Sequence, residues 1–251
     1  MSPFEPRVAL ASLSGEADAE WARTGVPYAG GAFLGGIALD EQTRSAARAM
    51  VGRDRTEFLP PDPVAFIDEQ LDALAEVDIV PGFNVRTATL DPLARAASVC
   101  ASHDAILEIN AHCRQAEMCS AGAGESLLTD GDRLCEQVRT ASDGGATVSV
   151  KLRTEVSGVD LPALAARLEA AGAAMLHVDA MDSESVIGAI TDVTDVPVTA
   201  NNEVRDRDSV EEYLSYGAAA VSVGRPSDDP RVLERVRSAT EDWFSQREVS
   251  P

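Results

Sequence analysis

One lysine stands in this chain against twenty arginines: Lys151, inside the strand-like run 146–154, Ala-Thr-Val-Ser-Val-Lys-Leu-Arg-Thr. An ammonium is a compact point charge that can lose its proton when desolvated and can approach a single ring atom, whereas a planar guanidinium cannot. Lys151 therefore fits a contact to a cofactor ring, or a Schiff base; the alternative is an outward-facing residue with its stem packed and its head in water. Cys113, between His112 and Arg114, is the second candidate. A thiol with a pKa of about 8.5, or a histidine near about 6.5, can hand over a proton at neutral pH. A neighbouring cation such as Arg114 favours thiolate and weakens such an acid, and the competing role for Cys113 is a small packed residue. His112, Cys113, Cys119 and His177 can also be read as metal ligands, but adjacent ligands seldom close on one ion and no C-x-x-C pair is present, so no metal is expected.

Short β-branched or apolar runs alternate with alanine-rich helical patterns from residue 7 onward, the pattern of repeated βα units around a parallel sheet. The runs 7–12, 27–30, 79–85, 105–110, 146–153, 174–180, 196–200 and 219–224 are predicted as strands. Helices are predicted over 40–52, 63–77, 92–102, 125–141, 160–171, 183–193, 206–216 and 230–247, several opened by Asp, Ser or Pro. Eight such units in 251 residues indicate a single-domain (β/α)8 TIM barrel over 1–251. A doubly wound open sheet is the alternative, though no G-x-G-x-x-G opens a helix. The second unit is the least regular, because residues 30–36 are too glycine-rich for a secure strand.

In such a barrel the chemistry sits at the C-terminal strand ends, and the unusual residues fall there. Strand three ends with Asn84 and Arg86; strand four with Asn110, His112, Cys113 and Arg114, followed by Gly122 and Gly124. Strand five carries Lys151 and Arg153, strand six His177 and Asp179, strand seven Asn201 and Asn202, strand eight Gly224 and Arg225. Backbone donors after strands seven and eight, with Arg225 as a bidentate partner, suit a phosphate.

Composition bounds the remaining possibilities. No apolar stretch approaches the roughly 18 residues of a membrane span, and the opening Met-Ser-Pro-Phe-Glu-Pro lacks the regions of a signal peptide, so a cytoplasmic protein without a membrane partner is expected. The formal charge of −21 is spread over the whole chain; it repels polyanions at low salt. With lysine depleted, it suits a halophilic protein in concentrated salt, where the Debye length falls to about 3 Å at 1 M. Cys100 and Cys135 lie on helical apolar faces and read as buried thiols, and a disulfide framework is not expected. Whether the chain forms a homo-oligomer is left open.

These segments, in this order and over most of the chain, resemble the barrel domain of the tRNA-dihydrouridine synthases, relatives of the dihydroorotate and dihydropyrimidine dehydrogenases. Glu108-Ile-Asn-Ala-His-Cys-Arg-Gln, followed by Gly122-Ala-Gly-Glu-Ser-Leu-Leu, is similar to the family's "N-x-G-C-P…G-x-G-x-x-L-L"; Val148-Ser-Val-Lys-Leu-Arg to "V-x-V-K-x-R"; Leu176-His-Val-Asp to "V-H-x-R". Pro197-Val-Thr-Ala-Asn-Asn-Glu and Gly217-Ala-Ala-Ala-Val-Ser-Val-Gly-Arg look like "I-P-V-I-A-N-G-D" and "G-A-D-G-V-M-I-G-R", and Ala11-Ser-Leu-Ser-Gly stands where the family has "A-P-M-x-G". Departures are His112 for glycine, Arg114 for proline, Asn84 near a glutamine and Asn202 for a glycine, and the family's C-terminal helical tRNA-binding domain is not matched.

The resemblance implies FMN as cofactor and hydride transfer from reduced flavin to a pyrimidine C=C bond, with Cys113 as proton donor. It places Lys151 at the flavin edge, Asn84 and His177 against the ring, Asn110 on the flavin or substrate and Ser12 under the flavin, while Asn201, Asn202, Gly224 and Arg225 hold its phosphate. Cys113, Lys151 and His177 are thus the catalytic candidates. The expected partner is a pyrimidine, in tRNA or free; a flavin-dependent reductase of another small molecule is the near alternative. From other classes come a Schiff-base lyase built on Lys151 and a non-catalytic binding protein.

Overall fold

Alternation of side chains across eight short strands produces two opposed surfaces, and the chain closes them into a barrel. β1 (Val8–Leu10), β2 (Gly31–Ala38), β3 (Val80–Arg86), β4 (Ile106–Asn110), β5 (Thr147–Arg153), β6 (Met175–Asp179), β7 (Val198–Asn201) and β8 (Ala220–Val223) follow one another in chain order, all parallel, with β8 returning to β1. This is the expected (β/α)8 barrel; the computed structural model describes residues 4–248, so residues 1–3 of the opening segment and 249–251 of the predicted single domain lie outside the described residues. Among the described residues no helix is long and apolar enough to cross a membrane.

The helices are α1 (Ala19–Gly25), α2 (Glu41–Val51), α3 (Pro63–Asp72), α4 (Leu90–Ser102), α5 (Ala116–Ser120), α6 (Ser126–Thr129), α7 (Gly131–Asp143), α8 (Leu161–Ala170), α9 (Val186–Thr191), α10 (Arg207–Ser215) and α11 (Pro230–Glu248). Six of them begin at an aspartate whose carboxylate accepts a first-turn backbone N–H: Asp18, Asp40, Asp62, Asp130, Asp160 and Asp206. Each such cap satisfies an orphan donor and places negative charge at the positive end of the helix dipole. Part of the acidic excess is therefore structural.

Outward-facing strand residues such as Val148, Val150 and Leu152 join the main core beneath the helices. Inward-facing residues form layers. The lowest is apolar, built from Ala9, Phe33, Ile106, Met175 and Ala220 with Phe4 against them. Above it the alternation brings in polar side chains, and these position the site.

Three sequence expectations change. The strand expected at 27–30 lies instead at Gly31–Ala38, through the glycine-rich run, and is buried throughout. Its glycines answer to close approach: a Cβ on Gly31 would meet the Phe4 ring at 3.0 Å, one on Gly35 the Asn84 carbonyl oxygen at 2.5 Å, and one on Gly36 the Asn84 amide oxygen at 2.5 Å. The helix expected over 125–141 is two helices, because Asp130 leaves α6 and caps α7. Two short helices, α1 and α5, were not foreseen in the loops after β1 and β4.

Gly35 combines that contact with a φ of +93°. Gly35→Ala is expected to destabilise the fold by about 2 kcal/mol or more, since the new Cβ meets rigid backbone and the dihedral is strained. Urea unfolding checks it, and a loss within about 0.5 kcal/mol, the range of an ordinary surface change, would show that β2 has room.

Candidate active site

A buried carboxylate occupies the middle of the barrel. Glu108, on β4, is fully buried; its Oε1 accepts from Asn84 Nδ2 at 2.7 Å, and its Oε2 faces His177 Nδ1 at 2.7 Å and Ser149 Oγ at 3.2 Å. The far ring nitrogen of His177 meets Ser222 Oγ at 2.7 Å, Ser222 Oγ also accepts from Asn201 Nδ2 at 2.8 Å, and the imidazole stands 5.2 Å from the Phe33 ring. On the other side Asn84 Oδ1 accepts from Asn110 Nδ2 at 2.8 Å, and Asn110 Oδ1 accepts the backbone N–H groups of His112 and Cys113. One hydrogen-bonded chain thus runs from β7 through the barrel interior to the β4 loop.

Burial by itself would raise the Glu108 pKa, but His177, Lys151 and Asn84 together hold it at about 2. Burial pushes His177 the other way, below its ordinary value. A neutral imidazole that donates Nδ1–H to Glu108 and accepts at Nε2 from the Ser222 hydroxyl agrees with the lowered His177 value.

The mouth lies one step further along the same strands. Lys151 is paired in register with Asn110 on one side and His177 on the other. It is 3% exposed, and among the described residues its ammonium takes no hydrogen bond or ion pair. Burial pushes its pKa down, against the pull of Glu108 and Asp179. Beside it, His112 Nε2 and Asp179 Oδ2 are 2.5 Å apart. Burial, with Lys151 and Arg153 nearby, lowers the His112 pKa despite Asp179, while the His112 bond holds Asp179 below the usual carboxylate value despite its burial.

Cys113 is half-buried after β4 and packs with Ala38, Met118 and Ala123. Its carbonyl accepts from Glu125 N at 2.9 Å, and Cys119 Sγ lies 3.5 Å from the same oxygen. Gly124 approaches so closely that a Cβ there would sit 2.2 Å from that carbonyl, at a φ of +64°. The second glycine of the 122–124 run is therefore required by the path of the Cys113 loop.

The structure brings Asn84, Asn110, Lys151, His177 and Asn201 into one connected cluster, with Cys113 anchored to it. His177 and Asn84 are fully buried, and both ends of each polar group are engaged within the protein. Ser12 is half-buried just past β1. Asn202 has a φ of +110°, a backbone suited to the glycine of the similar motif, and its amide donates to the Met181 carbonyl while Tyr213 Oη donates to the Asn202 carbonyl. Around Gly224 a Cβ would meet nothing within 4 Å, and Arg225 is exposed. Two of the four arginines at the strand ends are engaged in ion pairs: Arg86 with Glu57, both 1% exposed, and Arg153 with Glu125. Arg86 also donates to Ser14 Oγ and the Gly36 carbonyl, so it fastens the β1 and β2 loops. Arg114 and Arg225 remain exposed.

Sequence reasoning missed Glu108, Ser149 and Ser222 as members of the site, and the pairing of His112 with Asp179. The available signal was polar residues at alternate positions of otherwise apolar strands. Among the described residues no group of three or more His, Cys, Asp or Glu is placed to hold a metal.

A parallel barrel with a lysine, a cysteine and a buried histidine–carboxylate network at one end is an arrangement of barrel enzymes. The model of the dihydrouridine synthase family matches residues 83–249, and the chain belongs to that family; it is an oxidoreductase. It is 26% identical over 236 residues to an uncharacterised protein of Methanocaldococcus jannaschii, covering 90% of each chain. It is 32% identical over 149 residues to a probable tRNA-dihydrouridine synthase of Rhodobacter capsulatus, covering 53% of this chain and 46% of that one, so it spans about half that relative's length. FabK from Thermotoga maritima superposes with a TM-score of 0.59 at 13% identity, over 88% of this chain and 58% of its own, a likeness of fold.

The Glu108 shift has a consequence for stability. Its folded value, about 2, lies below the ordinary 4.5, so its contribution is complete above pH 4.5 and is lost as the pH falls toward about 2. The urea midpoint of the wild type should drop through that window by an amount worth at most about 3 kcal/mol. Glu108→Gln should be less stable at neutral pH and should show a shallower drop. An equal slope in the two proteins would mean that other carboxylates carry the titration.

Proposed function

We propose that the chain is an FMN-dependent reductase of a pyrimidine C=C bond, with its site at the C-terminal mouth of the barrel. The observation that carries this reading is Lys151. A buried ammonium without a protein partner is costly, and the electron-rich edge of a flavin is a group that would complete it. The fit extends to the other side of the mouth, where the open space at Gly224, the exposed guanidinium of Arg225 and the pinned loop at Asn201 and Asn202 suit the FMN phosphate. Ser12 and Asn110 border the same mouth.

Bound FMN supplies the hydride; the protein supplies position and charge. Lys151 stabilises negative charge at the ring edge. Asn110 orients the substrate while its Oδ1 fixes the Cys113 backbone. Cys113 then gives its proton to the carbon of the double bond that does not receive hydride, which completes addition of H⁻ and H⁺ across C=C. Glu108, His177 and Asn84 hold Asn110 and the strand ends in register.

Uridine in tRNA is the substrate suggested by family. A free pyrimidine is a second reading, favoured by the burial of Arg86 and the pairing of Arg153, which leave little positive potential at the mouth of a chain with charge −21. A cytoplasmic protein adapted to concentrated salt, where self-repulsion is screened, is the reading that suits the same charge. Dihydrouridine content of tRNA from a deletion strain, with reduction of tRNA and of free pyrimidines assayed in molar salt, separates the two.

Protein purified in high salt is expected to show flavin absorption near about 370 and 450 nm. Lys151→Met should lose FMN, and Lys151→Arg should fail as well, because a guanidinium does not reproduce a point contact; normal flavin chemistry in the arginine variant would remove Lys151 from this role. Cys113→Ala should keep FMN and its reduction by an electron donor, but lose substrate turnover by about 10²–10⁴-fold, as for a missing general acid. Equal loss in both half-reactions would make Cys113 structural.

A further inference from the structure

Two positions at which this chain departs from the motifs it resembles meet each other at the barrel mouth. His112 follows β4 and Asp179 ends β6, 67 residues later, yet His112 Nε2 and Asp179 Oδ2 stand 2.5 Å apart. The other oxygen of Asp179 accepts from the Met181 backbone N–H at 3.3 Å, and the His112 backbone N–H is held by Asn110 Oδ1 at 3.2 Å. The pair is fixed from both sides. Its exposure is asymmetric: the Asp179 side chain is 11% exposed and that of His112 32%.

A carboxylate can only accept, so the proton in this short bond belongs to Nε2. The neutral imidazole then carries a bare lone pair on Nδ1. Among the described residues Nδ1 takes no hydrogen bond, and a third of the side chain is exposed. The remaining charged and titratable groups around it are Lys151 and Arg153 on β5 and His177 on β6. Burial, with Lys151 and Arg153, opposes protonation of the ring and keeps it an acceptor. Beside Lys151 the mouth therefore presents a fixed neutral acceptor, His112 Nδ1.

Resting on the FMN reading for the reaction itself, we infer that His112, oriented by Asp179, is the specificity-determining residue of the site: its Nδ1 accepts the ring N–H of an imide or lactam substrate, such as N3–H of a uracil ring. A ring with an acceptor at that position would face lone pair against lone pair, and an N-alkylated ring would have no proton to offer. A site built around a hydrogen bond rejects analogues that lack it more sharply than an apolar pocket can, because its own polar group is then left unpaired.

Two measurements test this on the whole protein, as purified in high salt. Long-range ¹⁵N–¹H NMR of the imidazoles, which needs no flavin, should find His112 as the Nε2–H tautomer, with that preference lost in Asp179→Asn; an Nδ1–H tautomer in the wild type overturns the inference. Binding of uridine, 3-methyluridine and cytidine is then compared by calorimetry or saturation-transfer NMR. The wild type should prefer uridine over both by about tenfold or more, the scale of one good hydrogen bond. His112→Leu should abolish the preference, and His112→Gln, whose amide oxygen can accept, should restore part of it. An unchanged preference in His112→Leu, or no uridine binding by the wild type, overturns the assignment. Failure to bind FMN sinks the catalytic reading alone, since the tautomer and the ligand preference are read without it.

Discussion

The ionised carboxyl group of Glu108, buried inside the barrel, is the constraint on which the rest of the site depends. A charge in that position is tolerated only when its oxygens are filled by donors and a cation lies near. The donors come from β3, β5 and β6, and His177 passes the requirement on to Ser222 of β8 and Asn201 of β7. Since side chains alternate along a strand, a one-residue slip in any of these strands would turn its donor away from the ring of partners and into the apolar shell. The network thus selects one register for six neighbouring strands as well as satisfying a charge.

That register sets the height of everything above it. Arg86 stands two residues beyond Asn84, Asn110 two beyond Glu108, Lys151 two beyond Ser149, Asp179 two beyond His177 and Gly224 two beyond Ser222. The layer that reaches the mouth is the buried layer displaced by one pleat. Packing in a barrel of this kind is organised in such layers, and here the apolar floor of Ala9, Phe33, Ile106, Met175 and Ala220, the polar middle and the functional rim succeed one another within three alternate positions. His177 and Asn84 belong to the polar middle of this stack, and Lys151 and Asn110 to its rim.

Much of this was legible in the sequence, and the reasons for what was not are physical. Strand-end residues could be assigned to one rim because eight parallel strands present all their C-terminal ends on one side, which needs only local pattern and order. β2 was misplaced because a glycine run carries little strand signal of its own; its glycines are dictated by Phe4 and Asn84, which lie elsewhere in the chain. Glu108 stood in plain view within an apolar strand, but its partner His177 is 69 residues away, and His112 and Asp179 are separated by 67. A buried pair is recognised only when both members are seen together. The same is true of Arg86 and Glu57: strand position placed the guanidinium at the mouth, and only the fold reveals that it is turned into an ion pair beneath the surface.

The rarity of lysine takes its meaning from that last contrast. Arginine serves this chain as the ion-pairing cation, with carboxylate partners within reach over most of its surface and for Arg86 and Arg153 at the mouth. A guanidinium at position 151 would have the same appetite: Glu108 and Asp179 both pull on a cation there, and a planar fork with five donors would be drawn into bidentate contact with one of them. Such a contact would break the His177–Glu108 bond or displace His112 from Asp179, and would fill the mouth with the side chain itself. An ammonium feels the same two carboxylates without docking on either. Lys151 thereby leaves the buried network and the space above it intact, which is a physical reason for a lysine at this one position in a chain whose other twenty Lys/Arg cations are arginine.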